Sequence, residues 1–345
     1  MKKIIFFRND RLGDFIILTN LIKSIKNKYK DSQITVLCSP LNYNFIKKCK
    51  IVDEVIVYSK AFSLLAKIKI LRKILNSNYF ASFAVDGKSF SNFCNFFISS
   101  KYKFGLVYKY KFLNLWLSKP NFLYNYFVFN KFEIFTSKKN LTKIEHLPTK
   151  FIRLGNFLGL NLKITDNYYF ETNKNENLKF NKFKIKNLQK KFILIHLDEK
   201  WKDIALIDSD LFINLLYFQK KIRKQLVITS FNNHLNYFKN LKKNIQQHKT
   251  SKNILIIENS NLFFFERLIN ASACAISCHS GFLVQIAGAN STNLIDIINK
   301  QDYKWYSSWK PKNTRHKFVF KSYKFKEPIN SIFKKLIPAL SSYLK

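Results

Sequence analysis

The chain reads as an α/β protein of two domains, each built on a largely parallel sheet. Three observations carry this. Apolar runs of strand length alternate with segments of helical periodicity. The alternation occurs twice, over residues 1–165 and again from residue 191, with a polar, Lys/Asn-rich stretch between. A length of 345 residues also exceeds the usual single core.

In chain order, Ile4 to Phe7 is long enough for one buried strand. Phe15, Leu18, Ile22 and Ile25 then recur at three- and four-residue spacing, the mark of an amphipathic helix. Strands are expected at 33–38, 54–58 and 79–85, with a basic helix over 61–75. The strand at 79–85 ends at Asp86-Gly87-Lys88. His146 to Leu160 has the spacing of another amphipathic helix. Residues 166–190 lack periodicity and are assigned to a linker. The second series has strands at 192–197, 225–229, 254–258, 273–277 and 293–298. Its domain closes near 328, and 329–345 reads as a terminal helix. There is no internal repeat.

Tyr108 to Phe135 stands apart because it interleaves aromatics with lysines: Tyr108, Lys109, Tyr110, Lys111, Phe112, then Trp116. A mobile acceptor loop or an interfacial membrane contact fits this pattern. So does ordinary helix and strand with phenylalanine in place of leucine.

Composition narrows the classes. No run approaches the ~20 apolar residues of a membrane span. The first residues lack the apolar core of a signal peptide, so a cytoplasmic location is expected. Of the five cysteines only Cys274 and Cys278 are close, and no second pair completes a zinc site. Buried, idle thiols are expected. The formal net charge is +39, nearly all from lysine. Lys, Asn, Ile and Phe are abundant while Gly and Pro number only 7 and 6, a pattern that coding bias alone produces. The charge is still physically real. It favours nucleotide diphosphates, phosphorylated glycolipids, acidic membrane surfaces or nucleic acid. Forked phosphate recognition prefers arginine, so the few arginines carry more weight than the many lysines.

Two phrases stand out. Arg8-Asn9-Asp10-Arg11-Leu12-Gly13-Asp14 lies on the turn from the first strand into the first helix. Ligands of open parallel sheets bind at the carboxyl ends of strands. Far downstream, His279-Ser280-Gly281 follows an apolar strand and begins a helix through Ala289. The unpaired N–H groups of such a helix start suit a diphosphate.

Together the two phrases resemble glycosyltransferase family 9, the heptosyltransferase-like enzymes. Members open with a strand, an Arg, a Leu-Gly-Asp turn and an apolar helix. Near the other end they carry Asp-Ser/Thr-Gly, then a His and a small-residue helix. The resemblance spans most of the chain and is specific at its two ends. It implies the GT-B architecture, two Rossmann-like domains facing across a cleft, with the acceptor on the first and the nucleotide sugar on the second.

The resemblance also implies roles. Asp14 becomes the base that takes the proton from the acceptor hydroxyl; the competing reading is a helix cap, worth roughly 1 kcal/mol. Gly13 lets the backbone turn tightly. Arg8 and Arg11 hold acceptor or donor phosphates, or else pair with Asp10. On the donor side the expected residues are Lys200, with Lys202 close behind, together with Thr229, Ser230, His279, Ser280 and Gly281. Ser280 is expected both to cap its helix and to bond a phosphate. The sequence departs from the family at His279, where Asp is usual; the competing reading makes it a loop residue with no ligand. The family's helical His aligns near Val284 or Gln285. No P-loop, dinucleotide fingerprint or Asp-x-Asp metal motif is present.

The expected activity is therefore inverting, metal-independent transfer of a sugar, heptose by analogy. The donor is a nucleotide sugar such as ADP-heptose, used as co-substrate with no resident cofactor. The acceptor is lipopolysaccharide or another cell-surface glycan, reached at the anionic inner face of the membrane. A transferase with a different nucleotide sugar is a second reading. A non-catalytic basic protein binding nucleic acid or anionic lipid on the same fold is a third, with nucleic acid the less favoured partner.

Overall fold

The computed structural model describes the chain except residues 113–114, 120–127, 137, 139–140, 142, 164–167, 169–173, 208–209, 232–234, 249–251, 259–260, 313, 323–324 and 345. For 108–112, 115–119, 136 and 174–176 it describes the backbone alone. The chain divides into two compact units. The first is Met1–Glu171 with Ser307–Trp309, and the second is Thr172–Tyr306 with Lys310–Lys345.

The first unit runs β1 (Lys2–Phe7), α1 (Leu12–Lys28), β2 (Ser32–Cys38), α2 (Pro40–Ile46), β3 (Glu54–Val57), α3 (Leu64–Leu75), β4 (Tyr79–Ala84), α4 (Ser89–Phe97), β5 (Ser100–Phe112), β6 (Leu115–Lys119), β7 (Lys131–Thr136) and α5 (Pro148–Asn156). Its sheet has the order β3-β2-β1-β4-β5-β6, with β7 also pairing β5. All pairs are parallel except β5 with β6. The centre of the sheet is apolar on both faces, as a covered parallel sheet requires: Ile4, Ile5, Phe6 and Phe7 are fully buried. Phe6, Phe83 and Phe104 lie opposite one another on β1, β4 and β5. Their rings stack at 4.6 Å each, a ladder that pins register across three strands. Helix α1 packs on α5 through Gly155, where an added Cβ would meet Leu21 Cδ1 at 2.5 Å. At the end of α1 the Lys28 ammonium donates to the Leu158 and Gly159 carbonyls.

The second unit runs α6 (Lys174–Asn187), β8 (Phe192–His196), α7 (Trp201–Ile204), β9 (Ala205–Leu206), α8 (Leu211–Ile222), β10 (Gln225–Ser230), α9 (Asn236–Gln247), β11 (Ile254–Glu258), α10 (Leu262–Ala271), β12 (Cys274–Ser277), α11 (Gly281–Asn290), β13 (Leu294–Asn299), α12 (Tyr303–Ser308), β14 (His316–Lys321), β15 (Glu327–Pro328) and α13 (Ile329–Leu344). The parallel sheet has the order β11-β10-β8-β12-β13-β14. A small parallel pair joins β15 to β9. Helix α13 lays Ile332, Phe333, Leu336 and Leu340 into the core.

Several expectations need adjustment. Residues 174–187, assigned to a linker, form α6; the 14-residue helix has few apolar side chains. Phe180 and Phe183 nevertheless anchor it on Phe264 at 5.4 and 5.1 Å. The helix predicted from His146 begins at Pro148 and ends at Asn156. His146 sits just ahead of it, with Nδ1 2.8 Å from the Thr149 hydroxyl. In the aromatic-basic segment, Tyr108 to Phe112 continues β5, and Trp116 lies on β6 opposite Lys111. Residues 113–114 and 120–127 of that segment lie outside the described residues. All five cysteines are free and buried. Among the described residues, no helix is long and apolar enough to cross a membrane.

Both sheets have a topological switch point. In the first, the chain winds from β1 out to β3 and returns beside β1 as β4. In the second it winds from β8 out to β11 and returns beside β8 as β12. Loops leaving the carboxyl ends of two such neighbouring strands diverge, and the crevice between them is where ligands bind. The Arg8–Asp14 and Asp86–Lys88 turns occupy the first switch point. The Asp198–Lys200 and Cys278–Ser280 turns occupy the second.

Candidate active site

At the first switch point one buried cation holds two carboxylates, and a third stands beside them. Arg8 is 3% exposed. Its Nε lies 3.1 Å from Asp10 Oδ1, its Nη2 lies 3.5 Å from Asp14 Oδ1, and its Nη1 donates to the Val85 carbonyl. The guanidinium also lies over the Phe151 ring, 5.5 Å from its centroid. Asp86, at the end of β4, accepts from Asn9 N–H at 3.1 Å, Lys88 N–H at 3.0 Å and the Ser91 hydroxyl at 2.7 Å. Gly87 takes a left-handed φ of 64° to close that turn. Burial pushes the Asp10 and Asp86 carboxyls above their ordinary values, against the pull of Arg8 on Asp10 and of the Lys88, Ser91 and Asn9 hydrogen bonds on Asp86.

Asp14 occupies the third position of α1. The N-cap is Arg11, with no side-chain cap bond. The N-cap reading of Asp14 therefore gives way to a first-turn carboxylate, partly exposed and steered by Arg8. Arg8 itself is an internal partner of Asp10 and Asp14 rather than a surface phosphate clamp. Arg11 remains exposed at the helix start, and Gly13 is buried within it.

At the second switch point Asp296 plays the organising part. It lies on β13, fully buried, and its Oδ1 accepts from the His279 backbone N–H at 2.6 Å. Its Oδ2 accepts from His279 Nδ1. Ser277 hydroxyl lies 3.4 Å from Oδ1, and His316 Nε2 lies 3.7 Å from Oδ2. Burial pushes the Asp296 carboxyl up, but the pairing with His279 and contact with His316 more than offset this and hold it well below the usual range. The bond to Nδ1 fixes the ring and leaves Nε2 for a ligand. Tyr306 covers the imidazole, with centroids 3.7 Å apart.

His279 has a φ of +56°. A left-handed non-glycine residue costs on the order of 1 kcal/mol and concentrates at functional sites. The twist aligns the turn for α11. Gly281 opens that helix, and a Cβ there would meet nothing within 4 Å. Ser280 is the N-cap by position, yet its hydroxyl bonds none of the helix N–H groups, which corrects the expectation that it caps the helix. Its own N–H donates to Ser277 Oγ at 3.2 Å.

Lys200 reaches the same place from β8. Its backbone N–H donates to Asp198 Oδ1 at 3.1 Å, and its ammonium donates to the His279 carbonyl. Asp198 itself is pushed up to about 6 by burial, against Lys200. Thr229 and Ser230 lie in the interior of the sheet. The Thr229 hydroxyl is engaged with His196 Nδ1 at 3.1 Å, so it lines the core beneath the turn rather than a ligand surface. Gln285 is buried within α11. The structure thus brings Lys200, His279, Ser280 and Gly281 together and sets Thr229 apart. The organisers Asp86, Asp198 and Asp296 carry no such role in the sequence reading. Each sits at the end of, or inside, an apolar run, and a buried carboxylate requires partners. Among the described residues, no group of three or more His, Cys, Asp or Glu is placed to hold a metal ion.

No family model and no curated protein matches the chain in sequence. Solved structures do match in fold. A glycosyl transferase family 9 protein from Veillonella parvula superposes with a TM-score of 0.71 at 14% identity, over 99% of this chain and 97% of that one. The ADP-heptose LPS heptosyltransferase II of E. coli gives 0.68 at 12% identity, over 100% and 98%. The chain has the GT-B fold of these glycosyltransferases. A UDP-GlcNAc 2-epimerase from Methanocaldococcus jannaschii also matches, with 0.58 at 13% identity over 100% and 93%. The GT-B fold thus serves both transfer and epimerisation, and the site residues must separate them.

Proposed function

We propose that the protein is a glycosyltransferase that moves a sugar from a nucleotide-diphosphate donor to a cell-surface glycan acceptor. One observation carries this reading most: an Arg8-steered, partly exposed Asp14 stands at the switch point of the first sheet. The second switch point brings together groups suited to a diphosphate, which supports the reading: Lys200, the Asp296-held His279 and the α11 start.

In this reading the acceptor hydroxyl attacks the anomeric carbon as its bond to the diphosphate breaks. Asp14 takes the hydroxyl proton, a role that contributes on the order of a hundred- to ten-thousandfold. The departing diphosphate gathers negative charge. The Lys200 ammonium, His279 and the N–H groups of α11 stabilise it in place of a metal. A single displacement inverts the anomeric centre. Arg11, exposed at the start of α1, contacts an anionic group of the acceptor.

The E. coli match is named for ADP-heptose, which makes that the first donor to try. The epimerase match is named for UDP-GlcNAc, which makes a UDP-sugar the second. The acceptor is a lipid-linked or soluble oligosaccharide at the cytoplasmic face of the membrane. A thermal-shift panel of ADP-, UDP- and GDP-sugars tests the reading. A ligand at about a hundred times its dissociation constant stabilises by roughly 2.7 kcal/mol. Stabilisation by one nucleotide sugar, lost in His279→Ala, supports the reading. No response to any of them, with salt-sensitive oligonucleotide binding instead, favours the non-catalytic alternative.

A further inference from the structure

Helix α4 places Phe93, Phe96 and Phe97 on one exposed face, at three- and four-residue spacing. They are 48%, 45% and 55% exposed. They cluster with one another, Phe97 lying 4.8 Å in centroid distance from each of the other two. Helix α3 packs beside α4. Its exposed stripe begins with Leu64 and Leu65, each 73% exposed, and continues through Ile68. The same stripe then turns basic at Lys69, Arg72 and Lys73. Lone exposed apolar residues need no explanation, but six large ones on two adjacent helices mark an interaction surface.

The surroundings say what it fits. Residues 60 to 103 contain eight Lys or Arg and a single acid, Asp86, which is buried. A protein partner of ordinary composition would meet this stretch, which has no exposed acid, with little to match it. A bilayer of anionic lipid matches both parts, taking the aromatic and leucine side chains at the headgroup boundary and the lysines at its charged surface. Position agrees. Helix α4 starts directly after the Asp86-Gly87-Lys88 turn, and its Ser91 hydroxyl donates to Asp86. The exposed phenylalanines therefore extend from the same turn that lines the first switch point.

We infer that the exposed faces of α3 and α4 form a membrane-docking surface for anionic lipid. The inference concerns the first unit alone and does not rest on the proposed reaction. It places the contact on these two helices rather than on residues 108–126.

Sedimentation of the full chain with phosphatidylglycerol-containing and with pure phosphatidylcholine vesicles tests it. The wild-type protein is expected to bind the anionic vesicles and to bind the neutral ones at least about tenfold more weakly. Phe93→Ser, Phe96→Ser and Phe97→Ser combined should lower anionic-vesicle binding by at least about tenfold, since each buried ring adds to partitioning. The variant should still fold and unfold cooperatively, because about half of each ring is exposed. Lys69→Gln, Arg72→Gln and Lys73→Gln combined should weaken binding and flatten its salt dependence. Failure of the wild-type protein to bind at low salt overturns the inference. So does full binding by the folded triple-serine variant. A concentration-dependent dimer that the triple-serine change dissociates, with vesicle binding intact, also overturns it, because the surface would then be covered by a second copy.

Discussion

His279 and Asp296 are joined twice, by backbone N–H to Oδ1 at 2.6 Å and by ring Nδ1 to Oδ2. The carboxylate therefore fixes both the left-handed backbone of the turn and the orientation of the imidazole. Asp296→Asn should weaken nucleotide-sugar affinity and destabilise the second unit by roughly 3 kcal/mol, the cost of breaking a buried pair. The folded-state acidity of Asp296 lies below its unfolded value, so its stabilisation is present above about pH 4 and lost as pH falls further. Acid-unfolding curves that coincide for Asp296→Asn and wild type would contradict this role.

His279 separates backbone from side chain. In His279→Gly the left-handed φ is relaxed, whereas His279→Ala retains it. The glycine variant should be the more stable of the two by roughly 1 kcal/mol, yet both should lose donor affinity alike. Denaturant titration and calorimetry check the two halves. A glycine variant with wild-type donor affinity would show that the turn, not the imidazole, holds the ligand.

His196 gives the second unit an acid-side weakness. Burial lowers its pKa to about 4 from the ordinary 6.5. The fold favours the neutral ring, so its contribution is complete above about pH 6.5 and is lost as pH falls towards 4. Across that window the loss is roughly 3 kcal/mol. His196→Gln removes the titrating group. It should leave a flatter stability profile between pH 6.5 and 4, read by denaturant midpoints at each pH. An unchanged slope would place the acid sensitivity elsewhere.

The strands and switch-point turns were largely legible in the sequence. Ile4 to Phe7 and Phe192 to Ile195 are apolar on both faces, as a covered parallel strand requires. Asp14, Lys200 and His279 were legible because they sit where strand hands over to helix. Partners across the sheet were not. Asp296 looks like an ordinary polar interruption of β13 until β13 is paired with β12 and brought beneath the His279 turn. Arg8 illustrates the same limit. Its nearness to Asp10 was visible, but its burial depends on Val85 and Phe151, far along the chain. Helix α6 is hard to see in the sequence because Phe180 and Phe183 anchor it within a stretch whose lysines and asparagines hide the period.

Arg8→Met should show what the buried guanidinium does. Removing it takes from Asp10 the charge that most opposes its burial, and from Asp14 the guanidinium that steers its carboxylate. Turnover should fall by about tenfold or more through the loss of that positioning, alongside lower thermal stability. Turnover equal to wild type would detach Arg8 from the chemistry and leave it a packing residue.

Asp14→Asn measures the central claim most directly, since the change keeps shape and removes the base. Once a nucleotide sugar that binds the protein is in hand, turnover and donor affinity are read on the same preparation. Turnover at least about a hundredfold lower, with donor affinity nearly unchanged, is the predicted result. Turnover near that of wild type, accompanied only by a loss of thermal stability, would contradict it and return Asp14 to a purely structural place in the first turn of α1.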